Sequence, residues 1–170
     1  MKLIISEIPE EGLDLSLDNL SLISKAVSII SPVKGELRID KLGAEVLIKG
    51  YTSTEIELTC SRCLNNFKKE VNLDISITYH PLSELKGDEV YELHDDEMEV
   101  DFYSGDEIDI DNLIEEEIIL SIPMKPLCSE ECKGLCPKCG ADLNITSCGC
   151  SSEVIDERFG ILKKLFKKGE

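Results

Sequence analysis

Eight cysteines, grouped in four close pairs, constrain the fold of this 170-residue chain more than any other feature of its sequence. We expect no secretory leader, because the apolar run after Lys2 is too short, and no membrane span, which needs roughly 20 apolar residues. In the cytoplasmic protein that this implies, clustered cysteines are typical of metal sites rather than of disulfides. The pairs are Cys60 and Cys63, Cys128 and Cys132, Cys136 and Cys139, and Cys148 and Cys150.

The segment Cys136-Pro-Lys-Cys139-Gly140 is the most specific local motif. Its proline fixes φ and its glycine permits a positive φ, so the turn can direct two thiolates at one metal. Structural zinc binds four thiolates in a tetrahedron, and eight cysteines supply two such sets. We predict two structural Zn²⁺ ions, one in a local knuckle and one that joins the β-rich part to the C-terminal part. The knuckle set is Cys136, Cys139, Cys148 and Cys150, and the joining set is Cys60, Cys63, Cys128 and Cys132.

The spacing of the cysteines leaves other assignments open. Cys132 could join the knuckle set instead, and Cys128 or Cys150 could be a non-ligand. Four thiolates also suit iron, alone or in an iron–sulfur cluster. Free thiols and disulfides are the further alternatives, and spacing by itself excludes none of them.

Alternation of apolar and polar residues predicts a β-rich body. Every second residue of Val71–Tyr79 is apolar, which is typical of a strand with one buried face. Residues 2–8 have the composition of a short strand, 35–49 that of a hairpin turning near Gly43, and 98–103 that of another strand. Strands with one solvated face belong to antiparallel sheets.

Two helices are predicted as well. Residues 109–122 have apolar side chains at helical spacing, and Asp109 or Asp111 can cap the first turn. Residues 153–168 repeat that spacing and carry lysines near their end, where they suit the helix dipole. We therefore predict an α+β fold, with a mainly antiparallel β body, one or two helices and a C-terminal zinc-binding cysteine knuckle. The body covers residues 1–123 and the knuckle with the last helix covers 124–170, as one integrated domain.

Negative charge is concentrated in the middle of the chain. The formal net charge is -17, and residues 81–123 contribute 16 acidic side chains against one basic side chain. Binding of the whole chain to nucleic acid without specificity is not expected, because it requires neutralisation of phosphates. The acidic segment 84–117 is better suited to a basic protein partner. A solvated loop that aids solubility is the alternative.

Catalytic motifs are missing from the sequence. His80 and His94 are its only histidines, and a catalytic zinc typically uses several. No phosphate-binding glycine loop, dinucleotide fingerprint or nucleophile elbow occurs. The carboxylates of 115–117 are adjacent on a predicted helix, where they diverge. We therefore expect a protein that is not an enzyme and has no small-molecule substrate.

Three segments together resemble the YceD family. They are the turn Cys60-Ser-Arg-Cys63-Leu64, the run Ile118–Pro123, and the stretch from Pro126 through the Cys136–Cys139 turn. The resemblance extends over about residues 1–168 in the order of elements. It implies a cytoplasmic, non-enzymatic ribosome-biogenesis factor, needed for accumulation of large-subunit 23S ribosomal RNA in bacteria and with relatives in plant organelles.

Three functional hypotheses follow. In the first, the chain binds a large-subunit ribosomal precursor, through a basic ribosomal protein at the acidic segment 84–117 or through ribosomal RNA. The RNA contacts would come from Lys125, Lys133, Lys138, Arg158 and the C-terminal lysines. In the second, the chain is a zinc-dependent, redox-switched chaperone. In the third, it is an adaptor of a larger RNA-processing complex.

Overall fold

The computed structural model of the chain describes residues 1–82 and 100–150. Within these ranges the chain forms eight strands, one α-helix and a single 3₁₀ turn at Ile5–Glu7. The predicted α+β class with a mainly antiparallel body is confirmed. The strands are β1 (Lys2–Ile4), β2 (Leu13–Leu20), β3 (Ser28–Ile29), β4 (Val33–Leu42), β5 (Glu45–Thr59), β6 (Asn66–Pro81), β7 (Val100–Tyr103) and β8 (Glu107–Asp109), and the helix is α1 (Ile110–Ser121).

The main sheet has the strand order β2-β4-β5-β6-β7, and β3 also pairs with β5. Its longest element is the β5–β6 hairpin, whose antiparallel register runs from Val46 opposite Tyr79 to Thr59 opposite Asn66. The predicted strand Val71–Tyr79 lies inside β6, and the predicted hairpin at 35–49 lies in β4 and β5. Both predictions are confirmed. This long hairpin carries the first cysteine pair beyond its end, away from the core.

One face of the sheet is buried, as the alternation of residues requires. Leu37 of β4, Ile48 and Ile56 of β5, and Ile75 of β6 are among its fully or almost fully buried side chains. Helix α1 packs on the same core through four buried residues at helical spacing. They are Ile110, Leu113, Ile114 and Ile118.

The start of α1 is fixed by a side-chain cap. The carboxylate of Asp109 accepts hydrogen bonds from the backbone N–H groups of Asp111 and Asn112, which have no partner within the helix. The helix ends at Ser121, two residues before Pro123, which cannot donate to a further turn. The prediction of a helix over 109–122 is confirmed.

Several local predictions need correction. The strand predicted over 2–8 ends at Ile4, and β1 pairs with β8, with Leu3 opposite Ile108. The strand predicted at 98–103 is present in the described residues as β7, which is parallel to β6 rather than antiparallel. The segment after it, for which no strand was predicted, contains β8. The helix predicted at 153–168 and the part of the acidic segment before Val100 lie outside the described residues.

Beyond α1 the chain runs from Ile122 to Cys150 almost without regular structure. An isolated bridge pairs Leu135 with Asp142. Three cysteines, Cys60, Cys63 and Cys132, form a small buried cluster of their own, separate from the main core. No helix in the described ranges is both long enough and apolar enough to cross a membrane.

Candidate metal centres

The first set of cysteines meets at the tip of the β5–β6 hairpin. Cys60 and Cys63 lie in the turn that follows Thr59, and Cys128 and Cys132 reach them from the segment after α1. Their four sulfur atoms lie within 4.8 Å of one another. Cys60, Cys63 and Cys132 are buried, whereas Cys128 is exposed. The spacing argument favoured this grouping, and the structure brings the same four thiols together; we call them the hairpin centre.

The sulfur positions of the hairpin centre suit a single tetrahedral ion. Sγ of Cys60 lies 3.8 Å from Sγ of Cys132, and Sγ of Cys63 lies 3.7 Å from Sγ of Cys128. A tetrahedron with metal–sulfur bonds of about 2.3 Å has edges of about 3.8 Å. A disulfide would need sulfurs about 2.05 Å apart. The donor set therefore fits a metal ion that takes four thiolates.

The backbone of the first turn favours a thiolate at Cys60. The N–H groups of Cys63 and Cys128 donate to its sulfur and lower its pKa to about 6. A hydrogen bond between the side chains of Cys128 and Cys132 raises the pKa of the Cys128 thiol, which reaches about 12. Four thiols this close cannot all ionise without a cation between them, because their negative charges repel. A divalent metal ion at the centre of the four sulfurs would supply that charge.

The second set of cysteines forms the knuckle centre. Cys136, Cys139, Cys148 and Cys150 also place their sulfurs within 4.8 Å of one another. The N–H groups of Cys139 and Lys138 lower the pKa of Cys136 to about 6. Cys136 is buried, but Cys139 and Cys150 are exposed. The knuckle centre could hold a second ion, and it is the more open of the two.

The two cysteine turns have the same backbone geometry. Leu64 N–H donates to the carbonyl of Cys60 over 2.9 Å, and Gly140 N–H donates to that of Cys136 over 2.8 Å. Both residues have positive φ, 60° at Leu64 and 73° at Gly140. Glycine adopts this region freely, whereas leucine does so at a cost of roughly 1–2 kcal/mol. The Cys60 turn is thus a knuckle of the same type, although its sequence has leucine where the Cys136 turn has glycine.

Arg62 attaches the C-terminal segment to the hairpin tip. Its guanidinium donates to the carbonyl oxygens of Glu130, over 3.0 Å, and Cys132, over 2.8 Å. Its own carbonyl accepts from Leu135 N–H over 3.1 Å. Gly134 passes so close that a Cβ there would lie 2.9 Å from the Arg62 carbonyl oxygen. These contacts hold Cys132 against the sulfurs of the hairpin.

A polar network joins the two centres. The side-chain amide of Asn65 donates to Asp142 over 2.9 Å, and the backbone N–H of Asn144 donates to the same carboxylate over 2.9 Å. These bonds, led by that of Asn144 N–H, lower the pKa of Asp142. The side chain of Asn144 then reaches Sγ of Cys132, 3.4 Å away. A knuckle residue therefore contacts a ligand candidate of the other centre.

Sequence reasoning did not identify Arg62, Asn65, Asp142 or Asn144. They are common polar residues, and the Asp142-x-Asn144 spacing signals only a turn. His80, for which no metal role was predicted, lies at the end of β6, 3.6 Å from Glu45 and away from both centres. His94 lies outside the described residues.

Comparison with known proteins identifies the family of this chain. Residues 48–166, more than two thirds of the chain, match the family described as "Large ribosomal RNA subunit accumulation protein YceD". This chain belongs to the YceD family. The match contains all eight cysteines, so both centres lie inside the YceD region, while β1 to β4 precede it.

Individual YceD-family relatives show how far the similarity extends. The "Uncharacterized protein YlbN" of Bacillus subtilis is 28% identical, over 98% of this chain and 95% of that protein. The chloroplastic YCED homolog 1 of Arabidopsis thaliana is 28% identical over 79% of this chain, and the alignment covers 49% of that protein. YceD of Haemophilus influenzae is 30% identical over 51% of this chain and 47% of that protein. The aligned part is thus about half of each of the last two relatives. No solved structure matches the chain.

Proposed function

We propose that this YceD-family protein is a non-enzymatic ribosome-biogenesis factor of the cytoplasm. In this proposal it supports accumulation of 23S ribosomal RNA and of the large subunit by binding that RNA or a basic ribosomal protein. The carrying observation is the family match, since the Arabidopsis and Haemophilus relatives are named large ribosomal RNA subunit accumulation proteins. The non-enzymatic part rests on the sequence, which contains two histidines and none of the catalytic motifs considered above.

We further propose that each cysteine centre binds one structural Zn²⁺. At the hairpin centre the 3.7 and 3.8 Å sulfur separations support a single ion, because an iron–sulfur cluster would stand between its thiolates and spread them apart. At the knuckle centre the support is that all four sulfurs lie within 4.8 Å of one another. Zinc has no redox chemistry and takes four thiolates tetrahedrally. Elemental analysis of protein purified without added metal tests this proposal. Two zinc ions per chain support it, a ratio near one removes one centre, and iron with visible absorbance removes zinc.

The uneven charge along the chain supports different partners for the acidic segment 84–117 and for the C-terminal region. The acidic segment 84–117 would contact a basic protein, and the C-terminal region would approach phosphates. Lys125, Lys133 and Lys138 are exposed around the cysteine centres. They are joined by Arg158 and by Lys163, Lys164, Lys167 and Lys168 in the sequence that follows.

Affinity purification from cells expressing the tagged chain, at low and at high salt, tests the proposed function. We expect precursors of the large subunit to copurify, and to do so less at high salt. A variant with the four C-terminal lysines changed to glutamate should lose RNA association, and its salt dependence should flatten by about 0.7–0.9 per lost phosphate contact. The matched control changes the same lysines to arginine, which keeps the charge. If the glutamate variant keeps its RNA association and its fold is intact by circular dichroism, the four C-terminal lysines do not contact RNA.

The exposure of the knuckle centre favours one alternative, a redox-switched zinc chaperone. Cys139 and Cys150 are open to solvent, as oxidant-sensitive cysteines are. In such a switch a peroxide accepts two electrons from two thiolates, which form a disulfide, and Zn²⁺ leaves. An oxidant titration separates the hypotheses. Reversible zinc release with a gain of holdase activity would support the chaperone, whereas zinc loss without that activity would leave the ribosomal role.

A further inference from the structure

A groove of about 380 Å³ lies between α1 and the β6–β7 edge of the sheet. Its apolar lining includes the half-buried Ile77 of β6 and Val100 of β7 and the buried Leu113 of α1. At one end Leu120, on the last turn of α1, leaves 77% of its surface exposed. We call this feature the α1 groove. An open apolar groove with an exposed leucine is a surface that a partner can cover.

The charged lining of the α1 groove is acidic. Asp74 of β6, Asp101 of β7 and Glu116 of α1 are exposed there, Glu117 of α1 is half-buried, and none of the described lining residues is basic. Their field reaches Tyr79 in the core, where burial raises the pKa of the phenol and the carboxylate of Asp101 raises it further. The like charges around this groove repel one another and lower the stability of the folded state. The stability of the fold therefore does not account for their placement. A cationic partner would relieve it.

We propose that the α1 groove docks a lysine- or arginine-rich segment of another protein. The aliphatic stems of such side chains pack on Ile77, Val100 and Leu120, while their charged ends meet the carboxylates of Asp74, Asp101 and Glu116. This inference deepens the proposed function and rests on it for the source of the segment, a basic protein of the large-subunit precursor. It narrows the proposed binding site for the basic protein from the whole acidic segment 84–117 to the α1 groove. It also adds Asp74, which lies outside that segment, to the site.

Other occupants fit the charge less well. RNA would bring phosphates against four carboxylates. Residues 83–99 contain eight acidic side chains and one basic side chain, so they share the sign of the groove. Residues 151–170 contain five basic and four acidic side chains, which makes them only weakly complementary. A separate, strongly basic segment is therefore the favoured occupant, and the chain's own C-terminal residues are the competitor that the experiment must distinguish.

Binding of a labelled lysine-, arginine- and leucine-containing peptide to the full-length, zinc-loaded chain tests the proposal. A peptide of about 12 residues spans roughly 40 Å when extended, enough to cross the groove. The test variant is Asp74→Asn with Glu116→Gln, in which the glutamine still accepts from Asn112. Its matched control is Glu36→Gln with Glu115→Gln, which removes the same charge from positions outside the groove.

We expect the test variant to bind the peptide about tenfold more weakly at low salt, because each exposed ion pair contributes up to a factor of about five. The control variant should bind like the parent. Leu120→Asn should weaken binding severalfold without changing its salt dependence, since it removes apolar contact and no charge. Equal losses in the test and control variants, or an unaffected Leu120→Asn variant, would mean attraction by net charge alone and would overturn the proposal.

Nuclear magnetic resonance spectra of the test variant without peptide address the competitor. Shifted amide signals in residues 151–170 would show that the chain's own C-terminal segment occupies the groove, and would overturn the proposal. Unshifted signals there support a separate partner. The purification from cells is independent of this experiment. Peptide binding without copurifying ribosomal components would contradict the proposed function alone, and copurification without peptide binding would contradict the groove alone.

Discussion

The side-chain amide of Asn144 donates to Sγ of Cys132 over 3.4 Å, and thereby connects the knuckle to the hairpin centre. The Oδ1 atom of the same side chain accepts from the backbone N–H of Lys133 over 2.8 Å. Asn144 thus holds both a cysteine sulfur and the residue after that cysteine. Hydrogen bonds to a ligating sulfur orient it and disperse its charge, so the two centres are expected to be coupled in their metal affinity.

Asn144→Ala should weaken zinc binding at the hairpin centre by about 10- to 100-fold, the usual effect of losing a partner of a metal ligand. Competition with a chelator, followed for each centre separately, measures this loss. Asn65→Ala is the matched control, because it breaks the bond to Asp142 without touching a sulfur. Similar losses in both variants would mean that the general link between the segments matters and the sulfur contact does not.

Single serine substitutions should separate the two centres. Cys139→Ser should remove one zinc and expose the backbone of Cys136–Cys150, because a segment with few apolar residues depends on its metal for order. Cys128→Ser should remove the other zinc and loosen the contact in which Ser61 N–H donates to Pro126 over 2.8 Å. Zinc analysis combined with hydrogen exchange distinguishes the two patterns. Loss of both zincs in either variant would show stronger coupling than the structure predicts.

Two glycines with positive φ should respond differently to alanine. Gly140→Ala should lower the free energy of unfolding by about 1 kcal/mol, because it strains the backbone but meets no atom within 4 Å. Gly134→Ala should cost about 2–4 kcal/mol, because its Cβ would also lie 2.9 Å from the Arg62 carbonyl oxygen. Urea unfolding at a fixed excess of zinc provides the comparison. Equal effects would exclude the close approach of Gly134 to Arg62.

Cys60 should titrate with a pKa near 6 in the metal-free protein, because the N–H of Cys63 lies in the same hairpin turn. An ordinary thiol has a pKa near 9.0. The depressed pKa therefore stabilises the folded state fully above pH 9, and this contribution falls as pH decreases and is lost below about pH 6. Ultraviolet absorbance of the thiolates follows the titration. The pKa of Cys136 is also lowered to about 6, so Cys60→Ser should reduce the low-pH transition and Cys60→Ser with Cys136→Ser should remove it. A single transition near pH 9 would contradict the prediction.

The sequence predicts features that depend on local periodicity or on short spacing. Val71–Tyr79 alternates strictly and forms most of β6, and the apolar positions from Ile110 to Ile118 lie on the buried side of α1. The preferred grouping of the thiols follows the order of the pairs along the chain, and the structure brings the same two sets together, although the spacing alone left other assignments open. The boundary at residue 123 and the helix at 153–168 stay predictions.

Long-range relations are what the sequence does not reveal. Lys2–Ile4 pairs with a strand more than 100 residues later, and no local pattern selects that partner. The parallel pairing of β7 with β6, from Thr78 opposite Val100 to Pro81 opposite Tyr103, is not specified by the pattern of either strand. Arg62 and Asn144 gain their roles only because the hairpin tip and the knuckle are adjacent. The knuckle turn at Cys60 is not recognisable from the sequence, because Leu64 occupies a position where glycine is usual.

The hairpin centre has a consequence for the unfolded chain. Cys63 and Cys128 are 65 positions apart, so an ion bound there acts as a reversible cross-link across almost two fifths of the protein. In a chain-entropy model, closing a loop of that length restricts the unfolded ensemble by about 4 kcal/mol, compared with about 3 kcal/mol for a loop of 15 residues such as Cys136–Cys150. During synthesis this cross-link cannot close until Cys132 has emerged, after every strand of the main sheet has been made.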